Sequence, residues 1–174
     1  VSVEMNCRLC HSSGSEDAAR PVPDWEWNPI PTRDYRFNIL RLHDQVRFAE
    51  MPEAYADVLA AKGFNANGLY ESVVADNHPV LCASCHLSEA IPDSGHPGVP
   101  PLTEAVHTLH AGVIDPATGL PLGTASNRAA CYRCHPGGET RCLRGAMGRA
   151  VAADGSLAMQ CQDCHGSMAM VGST

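Results

Sequence analysis

A chain of 174 residues with a net charge of −7 is of single-domain length and is not expected to bind nucleic acid, whose phosphates demand a basic surface. Aromatic residues make up only 5%, against 15 glycines and 13 prolines, so side chains alone can build only a thin core. No apolar run approaches the ~20 residues of a spanning helix, and no membrane span is expected.

The first feature in chain order is Cys7-Arg-Leu-Cys10-His11, almost at the N-terminus. Residues 12–32 read as loop, with Pro21, Pro23, Pro29 and Pro31 around Trp25 and Trp27. Arg33–Glu50 has a helical pattern that puts Tyr35, Ile39, Leu42 and Val46 on one side, with His43 one position off that side and Asp44 beside it. Pro52–Lys62 reads as a short helix stopped by Gly63. His78 precedes the second motif, Cys82-Ala-Ser-Cys85-His86, and a Gly/Pro loop over 87–101 carries His96. Thr103–Ala111 reads as a helix with Thr103 as N-cap and Gly112 just past its end, so that His107 and His110 share a face. Asp115–Arg128 reads as a loop, hairpin-like at Thr118-Gly119, before Cys131-Tyr-Arg-Cys134-His135. Residues 136–160 are irregular with one helical turn near Arg141–Met147, and Cys161-Gln-Asp-Cys164-His165 closes the series.

Four Cys-x-x-Cys-His motifs absorb eight of the nine cysteines. Each reads as a covalent haem c attachment site: two thiols add to the porphyrin vinyl groups, and the adjoining histidine ligates the iron from the proximal side. Two rival readings are weaker. Paired Cys-x-x-Cys sites can hold zinc, but they need no histidine after each pair. Adjacent Cys-x-x-Cys cysteines also make poor structural disulfides. Cys142 is left over; a buried, unreactive thiol is favoured over a bridge between subunits. The cofactors are therefore four haem c groups, each a large apolar plate, and the apo-chain is expected to be largely unfolded. The expected fold is one small, loop-rich domain over 1–174. It is mostly irregular, with a few short α-helices wrapped around four covalent haems and little or no β-sheet.

Beyond the proximal His11, His86, His135 and His165, the chain has His43, His78, His96, His107 and His110. Four irons need at most four distal ligands, so the supply allows bis-histidine ligation throughout with one to spare. His43, His107 and His110 are the leading candidates; His78 is taken as the fourth, with His96 as its alternative. Six methionines are also available, but packing against haem faces is the preferred reading. Eleven arginines accompany a single lysine; Arg8, Arg133, Arg141 and Arg144 lie in or near motifs, where a guanidinium can grip a propionate. An enzyme would need an iron with an open site, and no acid–base cluster stands beside any motif. The chain is read as an electron carrier and not as an enzyme. The alternatives are a monomeric periplasmic or surface shuttle that docks on a reductase, and an oxidoreductase with one open haem.

Haem c is attached outside the cytoplasmic membrane. The chain is therefore expected to be exported, to the exterior or cell surface or alternatively the periplasm, with its signal removed, unless it is part of something longer. Motifs near both ends invite haem-to-haem contact between copies, so the expected partner is the chain itself, alongside other redox proteins or extracellular acceptors.

Several stretches carry a resemblance. They are Asn38-Ile-Leu-Arg-Leu-His43-Asp44, Pro79-Val-Leu-Cys82-Ala-Ser-Cys85-His86, Ala105-Val-His107-Thr-Leu-His110-Ala111, Cys131-Tyr-Arg-Cys134-His135-Pro-Gly with Thr140-Arg-Cys142-Leu-Arg-Gly145, and Cys161-Gln-Asp-Cys164-His165-Gly. From about residue 33 onward the chain resembles extracellular multihaem cytochromes, and with four haems most closely the OmcE-like tetrahaem cytochromes that polymerise into nanowires. The resemblance implies a loop-rich subunit, bis-histidine haems stacked in a continuous chain, and filament assembly. It also implies that one haem, the first or the fourth, can take its distal histidine from a neighbouring subunit.

Overall fold

A computed structural model describes residues 5–15, 19–21, 25–135 and 150–173. The expected helical turn near Arg141–Met147 and the odd cysteine Cys142 lie outside these residues. Seven short helices are described: α1 (Arg8–His11), α2 (Asp34–Glu50), α3 (Pro52–Ala61), α4 (Leu69–Val74), α5 (Leu102–Ala111), α6 (Gln162–His165) and α7 (Met168–Gly172). Two 3-10 turns, Cys82–Ser84 and Ala130–Arg133, complete the regular structure. Among the described residues there is no strand, only isolated antiparallel bridges at Ile114–Pro121 and Val151–Leu157. The first of these closes the expected hairpin-like turn, where Gly119 donates its N–H to the Asp115 carbonyl at 2.7 Å.

The chain divides into two compact units, Cys7–Leu102 and Thr103–Thr174 together with Val1–Asn6. Each unit carries two of the motifs.

In the first unit, α2 is organised by polar residues. Asp34, Asn38 and Asp44 are buried, while the apolar side Tyr35, Ile39, Leu42 and Val46 is only half-buried. The polar side is the buried one because it has loop groups to satisfy. Asp34 accepts N–H bonds from Ser13 at 2.8 Å and Tyr35 at 2.6 Å. Burial pushes the Asp34 carboxyl up, but the bonds from Ser13 and Tyr35 and the charge of Arg8 outweigh this and hold it below its usual value. Asp44 accepts from the main-chain N–H groups of Leu69 at 2.9 Å and Tyr70 at 2.8 Å, and so satisfies the start of α4. Gly68, at φ +118°, makes this possible: a Cβ there would lie 2.5 Å from the Asp44 carboxyl carbon. Below this polar spine Tyr55, Leu59 and Leu69 form a small apolar cluster with Leu40, Phe48, Phe64 and Val80 around it. α3 begins with Pro52 and ends before Gly63 at φ +71°, as its sequence pattern requires.

In the second unit the buried cluster is smaller still: Leu122, Ala130 and Met168, with Ala111 against it. Asp115 is buried and collects Asn127 Nδ2 at 3.2 Å, the Ala117 N–H at 3.0 Å and Arg133 Nε at 3.1 Å. Arg128 grips Asp163 in a fork of two 2.7 Å bonds. α5 begins at Leu102, so Thr103 lies inside the helix instead of capping it. The Leu102 N–H is satisfied by the Leu87 carbonyl at 2.9 Å.

Candidate haem-binding sites

All four motifs adopt the same local structure. In each, the histidine N–H donates to the carbonyl of the first cysteine, at 3.0 Å for His11, 2.9 Å for His86, 2.9 Å for His135 and 3.0 Å for His165. One helical turn puts positions i, i+3 and i+4 on a common face, so two sulfurs and an imidazole project together. None of the eight described cysteines is in a disulfide. Burial, followed by the nearby Cys82, pushes the Cys7 thiol up; burial, followed by Cys161, pushes Cys131 up to about 11. Among the described residues no three His, Cys, Asp or Glu side chains converge on a point that could hold a bare metal ion.

Two histidine pairs stand out. The rings of His43 and His86 have centroids 6.2 Å apart and planes at 87°. Those of His107 and His135 are 6.3 Å apart and nearly parallel at 15°. An imidazole nitrogen binds a metal at about 2.0–2.1 Å, and the ring centroid lies about 1.1 Å beyond, so trans imidazoles on one metal hold their centroids about 6.3 Å apart. Both pairs therefore have the separation of two axial ligands, and each joins a proximal histidine to a distal candidate. His110 follows His107 by one turn of α5.

In six histidines Nδ1 has a protein partner, which would leave Nε2 as the nitrogen able to ligate a metal. The Nδ1–H of His86 donates to Pro100 O at 2.8 Å, that of His107 to Thr103 O at 2.8 Å, that of His110 to Val106 O at 2.8 Å, and that of His96 to Pro97 O at 2.9 Å. His11 donates to Asn38 Oδ1 at 2.7 Å, and Asn38 in turn donates to Ala19 O at 2.7 Å. His43 Nδ1 lies 3.3 Å from the Tyr55 hydroxyl. Burial, then the positive neighbours His86 and Arg47, outweigh the pull of Asp44 and push His43 down to about 4. It is neutral at pH 7, the form that ligates.

His96 and His78 differ. The loop carrying His96 is tied to the second motif by Gly95 N–H to Ala83 O at 2.8 Å and His96 N–H to Cys85 O at 2.9 Å, and Lys62 Nζ holds Gly95 O at 3.1 Å. His78 is exposed, its ring against Phe64 at 4.8 Å. His165 is exposed as well. The sequence reading missed Asn38 and Tyr55 as partners of ligand candidates. Asn38 follows Asp34 at helical spacing on the buried face of α2, a signal that could have pointed to it; Tyr55 gives none.

The surroundings suit a large apolar cofactor. Leu9, Leu81, Leu87, Val106 and Leu109 lie in or beside the motifs and α5, yet remain exposed to solvent. Asn127 Oδ1 and Gln160 Oε1 are buried without a hydrogen-bond partner, four residues before the third motif and one before the fourth. No helix among the described residues is long and apolar enough to cross a membrane. No protein-family model matches the chain, no curated protein matches its sequence, and no solved structure matches its fold.

Proposed function

We propose that this chain is a tetrahaem c-type cytochrome that carries electrons through four covalent haems and works outside the cell as the subunit of a conductive filament. The observation that supports this best is the pairing of His43 with His86 and of His107 with His135, each at the separation of trans axial ligands beside a Cys-x-x-Cys-His turn. Cys7 and Cys10, Cys82 and Cys85, Cys131 and Cys134, and Cys161 and Cys164 would attach the four porphyrins. His11, His86, His135 and His165 would supply the proximal nitrogens. The haem would contribute a one-electron Fe(III)/Fe(II) couple. The chain's own residues orient the imidazoles through Nδ1, keep His43 neutral, and leave apolar side chains to cover the macrocycle. With two protein ligands on an iron no position is left for substrate, which favours electron carriage over catalysis.

Filament assembly draws on the resemblance to nanowire-forming cytochromes. Negative-stain electron microscopy of the native, haem-loaded protein tests it. Long filaments with a regular repeat are expected. Isolated particles of monomer size across salt and pH would contradict assembly and favour a periplasmic or surface shuttle.

A further inference from the structure

We propose that Tyr55 and Asp44 are positioning residues that lower the potential of the iron of the second motif. This rests on the reading of His43 and His86 as that iron's axial pair. With Nε2 on the metal, the Nδ1 of each ligand carries a proton and must donate. Five of the six donors traced above face neutral groups: His11 an amide oxygen, and His86, His96, His107 and His110 main-chain carbonyls. His43 differs. Its Nδ1 is 3.3 Å from the Tyr55 hydroxyl, which donates to Asp44 Oδ1 at 2.5 Å. The direction of this relay is fixed, from imidazole to phenol to carboxyl.

Asp44 is 3% exposed and takes three donors: the Tyr55 hydroxyl and the N–H groups of Leu69 and Tyr70. A carboxyl that only accepts is serving as a carboxylate. Of the guanidiniums nearby, Arg47 has its charge offset by Glu50 at 3.0 Å, and Arg41 lies over the Tyr70 ring. A buried negative charge behind a hydroxyl draws the imidazole proton outward and makes the ring a more basic ligand. That favours Fe(III) over Fe(II), and the through-space attraction of the carboxylate acts in the same direction in a low dielectric.

The test is a reductive spectroelectrochemical titration of the haem-loaded chain and its Tyr55→Phe variant at one pH. The phenyl ring keeps the packing against Phe48 while the relay loses its hydroxyl. One of the four titration components is expected to move to higher potential, with the other three unmoved and the ferric spectrum low-spin. Four unmoved components in a low-spin tetrahaem variant would overturn the proposal and leave the haem reading intact. Should Tyr55→Phe not fold, Asp44→Asn gives the same reading: an upward shift of one component supports the relay, and no shift overturns it. Fewer than four haems in the wild-type chain, or a His43→Ala variant that stays wholly low-spin with unchanged potentials, would overturn the axial assignment and the proposal with it.

Discussion

His107 carries two commitments at once: its ring is nearly parallel to that of His135, and its Nδ1 is bonded one turn back to Thr103. On the proposed ligation, an alanine there would take the sixth ligand from one iron while leaving the helix backbone intact. His107→Ala is expected to convert one of four haems to high spin or to methionine ligation, visible as a high-spin band in the oxidised absorption spectrum. A wholly low-spin spectrum with unchanged potentials would contradict the assignment. In the other unit, Asp34 accepts the N–H of Ser13, two residues after the first motif. Its carboxyl is held below the unfolded value, so its contribution to stability is full above the ordinary carboxylate range and is lost as pH falls through the depressed folded value. Asp34→Asn is therefore expected to lower the melting temperature at pH 7. The difference from wild type should shrink in strongly acid solution, and a pH-independent difference in thermal melts would contradict this. The chemistry-bearing residues were legible because Cys-x-x-Cys-His is written contiguously. Asn38 and Tyr55 were not, since their roles depend on which histidine they meet across 27 and 12 residues of chain.

At the scale of elements, helix spans followed from local pattern, but burial did not. α2 and α3 lie where periodicity, Pro52 and Gly63 put them. The sequence put Tyr35, Ile39, Leu42 and Val46 on one side of α2; the structure leaves that side half-buried and buries Asp34, Asn38 and Asp44. An amphipathicity argument assumes that the core is made of side chains; here the buried face has main-chain N–H groups and an imidazole to satisfy, and the apolar side is left for other material. The short helices α4 and α7 were missed. α4 depends on a carboxylate 25 residues away that satisfies its first N–H groups, and α7 on a glycine that lets it approach Thr108. Gly68 is where this arrangement is most exposed to mutation. Gly68→Ala combines a positive φ with a methyl driven into Asp44, and should cost about 2 kcal/mol or more by denaturant unfolding of the haem-loaded chain. It should also perturb the iron served by His43. A variant of wild-type stability would show that Asp44 is free to move.

Across the whole molecule, two units each hold two motifs around a very small apolar cluster. Such clusters stabilise little by themselves, since burial contributes about 25 cal/mol per Å2 against an ordering cost of about 1.5 kcal/mol per residue. Four covalent porphyrins would supply the missing apolar area and make folding follow cofactor attachment. In the proposed function, axial ligation, electron carriage and assembly would all depend on thioether attachment. The most direct measurement is the intact mass of the chain after export from a host with c-type haem maturation, taken under denaturing conditions. We predict the polypeptide mass plus four haems. A bare polypeptide, or haem lost on denaturation, would contradict the reading of the four motifs.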